Sequence, residues 1–171
     1  TQNQSSAASD VYKRQDMEDK ALVLEMGMRG IGQIENLSKY SEPDIAVITN
    51  IGTAHIGLLG SKNNITYAKC EISKHLNPEG VVIIPANDLF LEETLKEVWK
   101  GRVIKVKLLN IENKKESFKK DNNLRGFYNP SNKTIVIEEN IFEISLEGFH
   151  NAWNFLFAYA VAKELGIDFA S

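Results

Sequence analysis

Short apolar runs alternate along this chain with amphipathic stretches and with turns rich in Gly, Pro and Asn. Ala21-Leu-Val-Leu-Glu-Met26 has the length and make-up of a buried strand. Gly27, Gly30 and Gly32 follow as a loop, and Gln33 to Tyr40 carries Ile34 and Leu37 at helical spacing. Pro43 breaks that short helix, and Ile45-Ala-Val-Ile-Thr49 is the next predicted strand. A glycine-rich loop spans Asn50 to Ser61. Asn63 or Asn64 can cap a helix running to about Leu76, where Asn77-Pro78-Glu79-Gly80 stops it. Val81-Val-Ile-Ile84 predicts a third strand, Leu89 to Lys100 a helix, and Arg102 to Leu108 a fourth strand. Thr134-Ile-Val-Ile137 and Phe142-Glu-Ile-Ser-Leu146 predict an antiparallel hairpin around Glu139-Asn140. A last helix, Asn151 to Leu165, is apolar on nearly all sides and should be buried, with Gly166 at its C-terminal stop.

This alternation predicts an α/β fold, a largely parallel sheet flanked by helices with a small antiparallel β hairpin. The 171 residues are 43% hydrophobic and 25% charged, enough to bury a core, which excludes a wholly disordered chain. No run of about 18 apolar residues exists, so no transmembrane helix is predicted and no membrane partner. One cysteine, Cys70, excludes a disulfide framework and fits a reducing, cytoplasmic setting. A net charge of −3 implies no basic surface, hence no nucleic-acid partner. Ile111 to Asn123, with Lys114, Lys115, Lys119 and Lys120 among acids, reads as a solvated excursion. Residues 1–15 read as a polar, low-complexity tail, and Asp10-Val-Tyr-Lys-Arg-Gln15 matches the translation of a DNA-library transposon adaptor. The expectation is an assembly scar before a partial domain at residues 16–171, with the chain a fragment at both ends.

Ligands in open α/β sheets bind beyond the carboxyl ends of strands. Glu25 lies near the end of the first predicted strand, where an acid among Val23 and Leu24 is costly unless paired or cation-bound. It is a metal ligand or a cap on the amides of the Gly27 loop. His55, in Asn50-Ile-Gly-Thr-Ala-His55, can bind a metal or hold a phosphate, or is a structural loop histidine. Lys69 falls on the apolar stripe of Ile65, Ile72 and Leu76. Burial there would leave more neutral amine, able to form a carbamate with carbon dioxide; the alternative is a snorkelling lysine with a packed stem. In Gly148-Phe-His-Asn-Ala-Trp-Asn154, Asn151 is a good N-cap. Asn154 can pair with an adenine edge or help satisfy the helix N-terminus.

Together these motifs resemble the central domain of the Mur ligases, the ATP-dependent amide-forming enzymes of peptidoglycan synthesis. The resemblance covers about residues 20–166 and rests on Val23-Leu-Glu-Met-Gly-Met-Arg-Gly30, Asn50-Ile-Gly-Thr-Ala-His55 with Gly60-Ser61, Ala68-Lys-Cys-Glu-Ile72 and Gly148-Phe-His-Asn-Ala-Trp-Asn154. The wording of the first and third is most similar to the members that add D-alanyl-D-alanine. The resemblance implies ATP and Mg²⁺ as cofactors, with Glu25 and His55 as magnesium ligands and Lys69 as a carbamylated lysine placing a second magnesium. It implies that Asn154, with Asn151, contacts adenine and that Asn50 lines the substrate side. It further implies a UDP-N-acetylmuramoyl-peptide and D-alanyl-D-alanine as substrates of a monomeric enzyme, joined through an acyl phosphate. One departure is large: no G-x-x-x-x-G-K-[ST] phosphate loop is present. Another Mur ligase, a folylpolyglutamate synthase-type ligase, or a non-catalytic α/β nucleotide-binding module are the rival readings.

Overall fold

The computed structural model describes residues 21–53, 56–86, 88–112, 123–167 and 169. The chain packs as two units. One takes in the described residues up to Asp44, together with Ile51–Gly80 and Phe90–Lys100; the other takes in Ile45–Asn50, Val81–Leu89 and the chain from Gly101 onward.

The second unit is built on a six-stranded sheet whose spatial order follows the chain: β1 (Ile45–Val47), β2 (Val81–Pro85), β3 (Arg102–Asn110), β4 (Asn123–Asn129), β5 (Thr134–Ile137) and β6 (Asn140–Glu143). The first four run parallel, with Ile45 opposite Val81, Val81 opposite Arg102 and Leu108 opposite Gly126. β5 and β6 add antiparallel, so the predicted α/β class with a largely parallel sheet and a hairpin is what is seen. Val81–Ile84 are all buried, as expected of an apolar run inside a parallel sheet. The helix Phe149–Glu164 lays Ala152, Leu156, Phe157, Tyr159 and Ala160 onto a core shared with Ile83, Val106, Leu108, Ile135 and Ile137. It is not buried on all sides: Trp153, Phe155 and Val161 pack only half-buried at the margin, and Asn154 and Ala158 are exposed. Gly166, at φ 71°, lies just past its end as predicted.

The first unit is helical. Numbered in chain order over the whole described chain, its helices are α1 (Gln33–Ser41), the short α2 (Ile56–Leu59) and α3 (Lys62–Cys70), which continues as a 3₁₀ turn over Glu71–Ser73. Met28, Ile34, Leu59, Ile65 and Ala68 form their core, with Met26, Ile51 and Ile72 against it. α4 (Leu89–Val98) follows β2, and Phe149–Glu164 is α5.

Three expectations are corrected and one strand is added. Residues 21–26 form no strand among the described residues. Their even positions are covered and their odd ones open, and Val23 is 89% exposed, so one face of the segment is wet rather than both being buried. The hairpin turns at Glu138-Glu139, with Ile137 opposite Asn140, not at Glu139-Asn140. That shift ends β6 at Glu143 and leaves Leu146 exposed. Strand β4 was not predicted, because the polar residues and Gly126 of Asn123–Asn129 hide its buried face. Neither Asn63 nor Asn64 caps α3; Ser61 does, its Oγ accepting the Asn64 N–H at 3.1 Å. The charged residues 113–122 and the N-terminal tail lie outside the described residues. No helix among the described residues is long and apolar enough to cross a membrane.

Candidate functional site

In the first unit the site residues sit on the segment leading into α1 and on α3. The chain enters α1 through Gly32, held at φ 81°, where a side chain is disfavoured and a glycine cannot cap the helix itself. The cap comes from far along the sequence. The Gly32 N–H donates to both carboxylate oxygens of Glu71, at 2.7 and 2.9 Å, and the Glu35 N–H reaches the second oxygen at 3.4 Å. Gln33 Oε1 accepts the Arg29 N–H at 2.6 Å. Glu71 and Gln33 thus take the Gly32, Glu35 and Arg29 amides, and no such bond to Glu25 is shown among the described residues. Glu25 is exposed, with no hydrogen bond shown among the described residues. The desolvation cost expected for it from sequence does not arise at that exposure.

Lys69 is half-buried on α3 between the buried Ala68 and Cys70, and burial holds its ammonium below the ordinary lysine range. The apolar stripe that predicted this is present: Ile65 and Leu76 are buried and Ile72 packs against the same core. Glu25 and Lys69 thus belong to one packed unit. His55 lies outside the described residues.

In the second unit, Asn50 is exposed two residues beyond Ile48, whose N–H donates to the Ile83 carbonyl at 3.0 Å. α5 opens at Gly148, φ 104°, which offers no side-chain cap. Asn151 is therefore not the N-cap but the third residue of the helix, and its Nδ2 donates to the Glu147 carbonyl at 2.6 Å. The helix starts earlier than predicted because Gly148 takes a conformation that glycine adopts freely. Asn154 lies one turn on, on the same side as Asn151; it is exposed, with no side-chain hydrogen bond shown among the described residues. It does not serve the helix N-terminus.

Among the described residues no group of three or more His, Cys, Asp and Glu could cage a metal. Mg²⁺ does not need one, since it keeps several waters and takes one or two carboxylates beside substrate phosphates. The donors present suit that habit. Glu25 could offer hard oxygen, and Lys69 would offer it only if its amine carried a carbamate. Sequence reasoning missed the contacts of Glu71, although it lies inside the motif quoted for Lys69; its hydrogen-bond partner Gly32 lies 39 residues away.

A family model, the Mur ligase middle domain, matches residues 1–162. The chain belongs to the Mur ligase family. It is 38% identical over 146 residues to the UDP-N-acetylmuramoyl-tripeptide–D-alanyl-D-alanine ligase of Synechocystis sp., covering 85% of this chain and 29% of that one. The ligase of the same name from Bacillus subtilis is 34% identical over 149 residues, covering 85% and 30%. The crystal structure of MurF from Acinetobacter baumannii superposes with a TM-score of 0.67 at 26% identity, covering 86% of this chain and 31% of that one. This Mur ligase chain spans about a third of the length of these relatives.

Proposed function

We propose that this Mur ligase middle domain is the ATP-binding part of an enzyme that joins D-alanyl-D-alanine to a UDP-N-acetylmuramoyl-tripeptide in peptidoglycan precursor synthesis. The names of the Synechocystis and B. subtilis relatives supply the substrates. The observation that carries the site reading is the placement of Lys69, half-buried on α3 in the unit that also presents Glu25.

Lys69 acts first on itself. Burial raises its share of neutral amine. The lone pair attacks the carbon of carbon dioxide, a nitrogen–carbon bond forms, and the amine proton leaves to water. The cation becomes an anionic carbamate with two oxygens. That carbamate, Glu25 and His55 would hold Mg²⁺, which when bound neutralises charge building on the phosphate oxygens. Asn154 presents one amide donor and one acceptor to an adenine edge, and Asn151 supports the same turn. Asn50, at the carboxyl end of β1, faces the substrate side.

The test is isotopic. The chain is equilibrated with ¹³C-bicarbonate and its carbonyl region followed by NMR. One bicarbonate-derived resonance, lost in Lys69→Arg and shifted by Mg²⁺, is the expected result. No such resonance at any pH up to the lysine range would remove the carbamate and with it the metal role of Lys69. In a full-length ligase carrying this domain, phosphate release should depend on D-alanyl-D-alanine and not on a single amino acid.

A further inference from the structure

Glu71 is buried, 4% exposed, and the mechanism above makes no use of it. We propose that Glu71 is a positioning residue that locks the glycine loop carrying Glu25 to the helix carrying Lys69, and so sets the spacing of two metal ligands. The proposal rests on the functional reading above for what the ligands hold.

A helix start is ordinarily capped by its own Ser, Thr, Asp or Asn, which needs no buried charge. Gly32 cannot do this, having no side chain, and its φ of 81° disfavours the residues that could. The acceptor arrives instead from the 3₁₀ turn that extends α3, two residues beyond Lys69. Both oxygens of Glu71 take the Gly32 N–H, and one also takes that of Glu35, so the carboxylate meets the positive end of α1 with charge-assisted bonds. Two further ties join the same pieces: Ser38 Oγ donates to the Ile72 carbonyl at 2.7 Å, and Lys74 Nζ pairs with Glu35 at 2.6 Å. Ser38 acts along the body of α1. Lys74 meets the side chain of Glu35 in the first turn; among the three, Glu71 is the one that takes the backbone N–H groups there, where the chain from Glu25 arrives. A buried ion is a costly cap, and what it adds over a local one is registry between two distant segments.

The experiment uses the whole chain. Amide exchange is measured by NMR in the wild type, Glu71→Gln and Glu71→Asp, and each is titrated with Mg²⁺ while the signals of Glu25 and Lys69 are followed. Gln keeps the shape and loses the charge; Asp keeps the charge and loses reach. In E71Q the Gly32 and Glu35 amides should exchange at least tenfold faster, while Ile65 and Ala68 keep their protection. Apparent Mg²⁺ affinity should fall about tenfold with the Lys69 carbamate still formed. E71D should lie between, so the comparison survives if E71Q does not fold. Unchanged exchange at Gly32 and Glu35 would overturn the proposal. So would equal loss of protection at Ile65 and Ala68, which would make Glu71 a general support of the core. A wild type whose Glu25 and Lys69 ignore Mg²⁺ would sink the metal reading, and the exchange arm would still decide the lock.

Discussion

Gly148 shows how narrow the tolerance is at single positions of this domain. Its φ of 104° is one that residues with a side chain rarely adopt, and an added Cβ would meet the His150 ring at 2.8 Å. Gly148→Ala should cost about 2 kcal/mol, from the strain of that backbone conformation, and denaturant melts would show it as a lower midpoint with an unchanged slope. A second residue-scale prediction concerns pH. The Lys163 ammonium bonded to Glu138, helped by the Tyr159 hydroxyl at 3.0 Å, holds the Glu138 carboxyl below its ordinary value of 4.5, against a smaller opposing effect of burial. A lowered native value means the unfolded chain binds the proton more readily. The stabilisation is therefore complete above pH 4.5 and lost as pH falls through the native value. Glu138→Gln should be less stable than wild type at pH 7, by no more than about 1 kcal/mol for so exposed a pair. The gap should close by acid titration, and a gap that widened toward pH 3 would show the sign to be wrong. At this scale the sequence was legible where chemistry repeats along one helix. Lys69 was found because Ile65 and Leu76 mark its face; Glu71 was missed because its partners lie 39 residues back and no local pattern joins them.

The elements divide by how locally they are determined. β2 was readable from Val81–Ile84 alone, since a strand buried on both faces is a plain apolar run. β4 was not, because what it buries is partly a glycine. A Cβ on Gly126 would meet Ile135 Cδ1 at 2.8 Å, and Leu108 and Leu156 Cδ1 at 3.2 Å, so three side chains already fill the space above that strand. Gly126→Ala should destabilise by about 1–2 kcal/mol despite the better strand propensity of alanine, and Gly126→Val by more. Thermal melts of the pair would test this, and an alanine variant melting above wild type would mean the three neighbours yield freely. The N-terminal segment failed as a strand for the opposite reason: residues 21–26 have the apolar make-up of a buried strand, yet composition supplies no ladder partner. α3 begins where Ser61 caps it, and Ser61→Ala should cost about 1 kcal/mol, as a lost N-cap does.

At the scale of the whole chain, the fold class was legible from the alternation of apolar runs and helices and the family from four spaced motifs, while the division into two packed units was not, since no linker or composition shift marks it. The decisive whole-chain property is which part of the nucleotide these residues can hold. A P-loop grips phosphates through backbone N–H groups and a lysine, and no G-x-x-x-x-G-K-[ST] occurs in the 171 residues. The proposed contacts reach adenine through Asn154 and reach phosphate only by way of Mg²⁺ on Glu25, His55 and carbamylated Lys69. It follows that this chain should gain nothing from the triphosphate once the metal is removed. In chelator, ATP and adenosine should bind within a few-fold of each other by calorimetry. With Mg²⁺ and bicarbonate ATP should pull ahead by tenfold or more, and Lys69→Arg should erase that advantage. No phosphate should be released from ATP by the chain alone, even with both peptide substrates present. ATP binding much tighter than adenosine in chelator would mean that these residues cradle phosphate directly, and the metal-mediated scheme would have to give way to one built on the backbone amides of the chain itself.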